Sequence, residues 1–227
     1  MPVAGRTPDV IVGICFHGIG PPPAGLEPEA HDYFVSADLF LGVLDEAARQ
    51  PAVQLSFDDG YASDVEVALP AVADRGLTAT FFPLAGMLGR PGYLDAGGVR
   101  ALSAAGMGVG THGMSHRSWR GLDAGSEHEE LAVARSLIGA AAGAPVSAAA
   151  CPFGSYDRRV LGALRRHGYT QVFTSDRRRA RAGAWLQPRY SVRRGDTLET
   201  VRETILAPPP LAERFRCVAA SQVKAWR

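Results

Sequence analysis

Lysine is almost missing from this 227-residue chain. Lys224 stands alone beside 23 arginines, which together make up the 24 basic residues. No apolar run approaches the ~18 residues that a membrane-spanning helix needs, so no such helix is expected. Cysteine is scarce, with Cys15, Cys151 and Cys217 widely spaced and odd in number. That pattern argues against a disulfide framework and against a cysteine-based zinc site. The stretch Met1–Gly13 lacks a basic start, a long apolar core and a small-residue cleavage site. No secretory leader is expected from it, and the predicted location is the cytoplasm. The arginine run around Arg177–Arg181 is too short and local to predict nucleic-acid binding.

What is present fits a globular protein: 46% hydrophobic and 21% charged residues. The length suits one domain over 1–227, with the motif-bearing part at about 10–192. The net charge of +1 hides an asymmetry. Residues 1–116 carry 5 basic and 13 acidic side chains, residues 117–227 carry 19 and 10. Solvated helix faces explain this plainly; an anionic group on a substrate is the sharper explanation.

Apolar, β-branched runs predict strands at Val10–Phe16, Val53–Phe57, Thr78–Leu84, Gly108–Thr111, Val146–Ala150, Thr170–Thr174 and Tyr190–Val192. Helical patterns fall between them at Ala37–Gln50, Ser63–Arg75, Asp95–Ala105, Glu127–Ala142, Arg158–His167 and Thr197–Leu206. Ser126 with Glu129 reads as a capping box, and Asp157 and Asp196 read as caps. Gly76, Gly143 and Gly168 sit where helices should stop. Strands alternating with helices imply a parallel sheet covered on both faces. About seven such units favour a closed or distorted (β/α) barrel over an open sheet. Pro208-Pro209-Pro210 marks a late break.

Three constellations carry chemistry, each at a predicted strand end, where a parallel barrel places its active site. Ser56-Phe57-Asp58-Asp59-Gly60 sets two carboxylates side by side, and their repulsion is relieved by a cation. Alone, Asp-Asp-Gly is also an ordinary turn and cap. Thr111-His112-Gly113-Met114-Ser115-His116 places two histidines at i and i+4, which share a face if the backbone turns helically. With one carboxylate they complete a His₂-carboxylate set with open positions, as catalytic zinc requires. Cys151-Pro152-Phe153-Gly154-Ser155-Tyr156-Asp157 offers the Phe153 amide to a developing oxyanion, although Pro and Gly also simply shape a turn.

In this order, the three motifs resemble the polysaccharide deacetylases (the NodB-homology group, carbohydrate esterase family four). Ile14-Cys15-Phe16-His17-Gly18-Ile19, Val35-Ser36-Ala37-Asp38-Leu39-Phe40, Ala68-Leu69-Pro70 and Ala79-Thr80-Phe81-Phe82 resemble that family's N-terminal half. The resemblance runs from about Val10 to Val192. It implies an α/β fold, a distorted (β/α)7 barrel. It implies Asp58 as general base, Asp59, His112 and His116 as metal ligands, and the Phe153 amide as oxyanion donor. Pro152, Gly154 and Tyr156 of the third motif would contact substrate. The implied cofactor is a divalent metal, zinc foremost, with cobalt or nickel as alternatives. The implied activity is removal of an N-acetyl group from an amino sugar, and in the expected cytoplasmic setting that sugar would be free, nucleotide-linked or lipid-linked. O-acetyl or other C–N hydrolysis on a non-sugar, and a silent glycan-binding relative, are the competing readings.

The chain departs from the family in two places. The late Leu-x-His motif that protonates the leaving amine is missing, since no histidine lies beyond His167. The arginine before the third-motif proline is replaced by Ala149-Ala150-Cys151. Two substitutes are expected. Arg189 would reach Asp58 from the last strand, and His17, ending the first strand, would act as general acid or substrate contact. Arg158, Arg159, Arg177, Arg178, Arg179 and Arg181 are candidates for a phosphate clamp, and Trp185 for sugar stacking. The loop from Gly20 to Tyr33, with His31, is expected to border the cleft.

Overall fold

A computed structural model describes residues 8–207 and Val223. Pro208–Pro210 and Cys217 lie outside the described residues. Seven parallel strands form the frame: β1 Val10–Phe16, β2 Val53–Asp59, β3 Ala79–Pro83, β4 Gly108–Val109, β5 Ala148–Ala150, β6 Gln171–Thr174 and β7 Leu186–Ser191. Their spatial order is β4-β3-β2-β1-β7-β6-β5. A parallel bridge between Thr111, just past β4, and Ala149 of β5 nearly closes the ring. Thr111 donates its amide to the Ala148 carbonyl at 3.0 Å, and its own carbonyl accepts from Ala150 at 2.9 Å. The architecture is a (β/α)7 barrel. Among the described residues no helix is long and apolar enough to cross a membrane.

Strand alternation sorts the side chains. Leu55 and Phe57 of β2 face outward into the main core, with Ile14, Phe16, Phe40 and Phe81, against the helices. Ser56 and Asp58, two residues apart, face inward with Arg189 of β7. The inside of this barrel is therefore not filled by aliphatic layers alone. Its centre is a buried guanidinium between the rings of Phe82 and Phe173, at 5.4 and 5.5 Å. Room for Arg189 comes from its neighbour on β1. Gly13 pairs with Arg189, and a Cβ at Gly13 would stand 2.9 Å from the arginine Cγ.

Several expectations need correction. β7 begins at Leu186 and ends at Ser191, not at Tyr190–Val192. The run Gln187-Pro188-Arg189 faces a polar interior, so hydrophobicity could not reveal it. The helix expected at Glu127 starts at Ala124, because Asp123 rather than Ser126 is the cap and accepts from the Ser126 amide at 2.8 Å. Thr197 caps the last helix with Thr200 in a capping box, while Asp196 accepts instead from the Arg193 amide. Asp157 caps as expected. Gly76, Gly143 and Gly168 all take positive φ at helix ends. Two short pairings were not anticipated: Gly18–Ile19 with Phe34–Val35, and Ala180–Arg181 antiparallel to the start of β1.

Candidate active site

The strand ends open into a cavity of about 730 Å3 lined by His17, Asp58, Asp59, His112, His116 and Phe153, among others. That volume is in the range that encloses a drug-sized ligand. All three predicted constellations contribute to it.

The last five residues of β2, Leu55 to Asp59, run into the site buried. Asp59 then turns the chain with φ 74°, and Gly60 follows at φ 75°, where a Cβ would meet Pro83. A non-glycine residue held left-handed is a strained position, and such strain gathers at functional sites. The turn carries Asp58 inward and Asp59 towards the histidines.

Asp58 and Arg189 form a bidentate pair, with both Nη–Oδ distances at 2.7 Å. The same guanidinium donates to Ser56 Oγ at 2.9 Å. Burial by itself would push the Asp58 carboxyl up. The arginine, helped by His112, outweighs that and holds it well below the usual carboxylate range. Burial would in turn lower Arg189, but Asp58 holds it above the ordinary arginine value. Asp58 is thus an ionised carboxylate in the resting site, with a fixed orientation.

His112 and His116 reach Asp59 from one side. Their Nε2 atoms stand 3.6 and 3.5 Å from Asp59 Oδ1. His112 Nδ1 lies 2.9 Å from the Ala150 carbonyl, which can only accept, so the proton sits on Nδ1 and the Nε2 lone pair faces Asp59. Burial lowers the His112 pKa, with Asp58 and Asp59 opposing, and keeps the ring neutral. Asp59 Oδ1 is buried and has no hydrogen-bond partner among the described residues. Two atoms each ~2.1 Å from a tetrahedral ion stand about 3.4 Å apart, close to the separations seen here. The donor set fits a divalent cation.

The histidine loop is not a helical turn. Gly113 at φ 88° and His116 at φ 55° bend it back instead. Sequence reasoning missed what holds it: Glu130, buried, accepts from the Met114 amide at 2.7 Å, Ser115 Oγ at 2.5 Å and Trp119 Nε1 at 3.4 Å. Glu130 sits in a wide turn of its helix, closed by the Ala134 amide on the Glu129 carbonyl. Such π-type turns are common near functional sites. Nothing in the pair Glu129-Glu130 distinguishes the buried carboxylate from its exposed neighbour.

A second trio, Cys15, His17 and Asp58, also lies within 4.8 Å. Both Asp58 oxygens are taken by Arg189, and burial pushes the Cys15 thiol up, so this trio is a poor cation site. His17 lines the cavity beside Tyr33, ring centroids 4.6 Å apart, and its Nδ1 has no partner among the described residues. Asp64 is also fully buried with both oxygens unpartnered, and burial followed by Asp59 and Asp58 pushes it up.

In the third motif, Phe153 is well exposed at φ 58°, its ring 4.5 Å from that of His116. Pro152, Gly154 and Tyr156 do not line the cavity. Pro152 is buried. Gly154 is packed where a Cβ would meet Ser175. Tyr156 points into the core and donates to Asp176 at 2.7 Å. The motif is a tight turn after the strand, and Phe153 at φ 58° swings outward while Pro152 and Gly154 pack beneath it. Trp185 is likewise elsewhere, donating to the Tyr169 carbonyl. Of the six candidate clamp arginines only Arg177 lines the cavity; Arg159 and Arg179 are spent on the carbonyls of Leu122 and Leu206. Arg193, not singled out before, joins Arg177, and the loop carrying Gly25, Glu27 and Tyr33 borders the cleft as expected.

The sequence profile of the polysaccharide deacetylases matches residues 45–172, over half of the chain. The chain belongs to the polysaccharide deacetylase family. A curated relative, YxkH of Bacillus subtilis strain 168, is 24% identical over 132 residues, 58% of this chain and 47% of that protein. The chain thus spans about half the length of this relative. Among solved structures, the Streptococcus pyogenes deacetylase PplD in complex with acetate superposes with a TM-score of 0.74 at 21% identity, covering 89% of this chain and all of that one. IcaB from Ammonifex degensii gives 0.71 at 23%, covering 88% and 99%. At such identities these two share the fold, which agrees with the barrel expected from the sequence.

Proposed function

We propose that this family member is a metal-dependent hydrolase that removes the N-acetyl group of an N-acetylated amino sugar and releases acetate. The observation that carries the reading is the convergence of Asp59, His112 and His116 around an unpartnered oxygen, next to a carboxylate locked to a buried arginine. Those three residues would hold a divalent ion, zinc by donor type, with cobalt or nickel also suited. When bound, such an ion polarises the acetamide carbonyl and acidifies a water.

The chain's own residues do the rest. Asp58 accepts the proton of the attacking water, and Arg189 keeps that carboxylate ionised and aimed. The main-chain amide of Phe153 donates to the developing oxyanion, a contact worth ~2.7–4 kcal/mol in other hydrolases. The exposed Phe153 ring beside His116 offers an apolar face to the acetyl methyl or the sugar. The leaving amine regains its proton from Asp58. His17, desolvated and with a free Nδ1, is assigned to substrate contact. Pro152 and Gly154 shape the turn that presents Phe153.

The test is acetate release by the metal-loaded protein from N-acetylglucosamine compounds, free, oligomeric, nucleotide-linked and lipid-linked. Asp58→Asn and His112→Ala should both abolish it. Bound metal without release from any of them, or release that survives Asp58→Asn, would overturn the reading; release only from O-acetyl esters would move it to esterase chemistry.

A further inference from the structure

We propose that the cavity rim selects an acetylated sugar that carries a phosphate group, held by Arg177 and Arg193. This rests on the deacetylase reading above and adds the chemical class of the substrate.

Both arginines line the same cavity as Asp58 and His112. They come from the loops after β6 and β7, on the side of the barrel that supplies Arg189. The Arg177 amide donates to the Arg189 carbonyl at 3.0 Å, and Arg193 lies four residues further along that chain. Among the described residues neither guanidinium has a carboxylate within 4.0 Å. The arginine ion pairs seen among the described residues are made by Arg49, Arg75, Arg120, Arg166, Arg189 and Arg202. Both are instead spread over aromatic faces. Arg177 sits 5.7 Å from the Tyr190 ring centre, with Nη1 3.5 Å from the Ser191 carbonyl. Arg193 sits 5.2 Å from the Tyr33 ring, and its Nη2 donates to Tyr33 Oη at 3.3 Å. Stacking fixes the planar fork while leaving N–H groups for an anion.

Position adds to charge. Arg177 holds φ 50°, a left-handed backbone that a side chain rarely adopts without compensation. Tyr33, under Arg193, also stacks on His17, so the second guanidinium reaches the reacting centre through two contacts. The remaining charges at the rim are Glu27 and Glu29, which also line the cavity. They would repel an anion placed near them, so the phosphate sits with the two arginines and the glutamates take hydroxyls. Asp58 is already neutralised by Arg189, and Asp59 would be by a bound cation. Phosphate suits two separate forks better than a neutral sugar does.

The experiment compares KM and kcat for N-acetylglucosamine, N-acetylglucosamine 1-phosphate, the uridine diphosphate sugar and a short-chain prenyl diphosphate sugar, in wild type, Arg177→Gln and Arg193→Gln. We expect KM about tenfold lower for the phosphorylated compounds, a gap that narrows with added salt. Each variant should shrink the phosphate-to-neutral ratio of kcat/KM about tenfold. The last two compounds tell a nucleotide carrier from a lipid one. Calorimetric binding of N-acetylglucosamine 1-phosphate to the metal-free chain gives a readout without turnover. Turnover of neutral and phosphorylated sugars at equal kcat/KM, unchanged in ratio by both variants, overturns the phosphate assignment and leaves the deacetylase standing. Arginine-dependent phosphate binding with no acetate release from any compound does the reverse. Neither binding nor preference overturns the assignment outright.

Discussion

Asp58 has an unusual cost structure. Two charges leave water together, and the geometry must be good enough to offset that desolvation. Here both Asp58 oxygens accept from the guanidinium, which also donates to Ser56 Oγ. Removing one partner strands the other. Arg189→Met is expected to lower stability by ~3–5 kcal/mol and to abolish turnover, read by denaturant melts and acetate release. The double variant Asp58→Asn/Arg189→Met should recover much of the stability and none of the activity. A loss in the double variant equal to the sum of the two single-variant losses would show that the pair is not coupled. Asp64 makes the opposite case, as its carboxyl is raised by burial and by two neighbouring aspartates. The folded state therefore holds a proton that the unfolded chain has lost above its ordinary carboxylate pKa. Its contribution turns unfavourable as pH rises from that value towards the raised one. Asp64→Asn should raise the melting temperature of the metal-free protein at pH 7.5, with the gain shrinking towards pH 4. A gain independent of pH would refute this. At this scale the sequence was readable where residue type and motif foretell which side chains converge, as at Asp59, His112 and His116. It was silent where burial decides, as at Asp64 and Glu130.

Elements position the proposed ligands through loops that short motifs describe only in part. The i,i+4 spacing of His112 and His116 suggested a helical turn, and the chain instead bends through Gly113 and His116 at positive φ. The loop's rigidity comes from a carboxylate on a different element. Glu130→Gln keeps the size but weakens two amide and hydroxyl contacts, so metal retention should fall about 10–100-fold by chelator competition. Gly113→Ala should do more, since its Cβ would run into the Glu130 carboxylate and its φ disfavours a side chain. Retention of metal at wild-type affinity in both would place loop rigidity elsewhere. The same lesson applies to β7. Its Pro and Arg conceal a strand whose inner face is polar by design of the pair it carries, and only the outward Tyr190 reads as strand. One helix start was misplaced by a turn and the last by a single residue, because capable caps, Asp123 and Ser126 or Asp196 and Thr197, stand close together.

For the whole molecule, the alternation of seven apolar runs with helical patterns was enough to expect the barrel. The ring's closing contact, a single bridge at Thr111 and Ala149, leaves no trace in hydrophobicity, because two alanine-rich or glycine-rich segments meet there through backbone alone. The barrel as a unit is linked to its proposed cation. If zinc binds the folded state only, a free concentration 1,000-fold above Kd should stabilise it by ~4.1 kcal/mol, and a chelator should remove the gain. A melting temperature indifferent to zinc, cobalt and nickel would argue against the site. 

Asp58 and Arg189 are separated by 131 residues, and they meet on strands that flank β1 from either side. This sets an order in time. While the chain is being made, Asp58, the proposed base, emerges early and its partner emerges near the end of the described fold. Until β7 slots in beside Gly13, the barrel lacks both a wall and the cation that keeps Asp58 ionised. A ribosome-bound chain stopped before Leu186 should therefore show no hydrolytic competence, however much of β1 to β6 has formed. The proposed reactive centre is in this sense a proof of completion: it would be switched on by the last strand to join the ring.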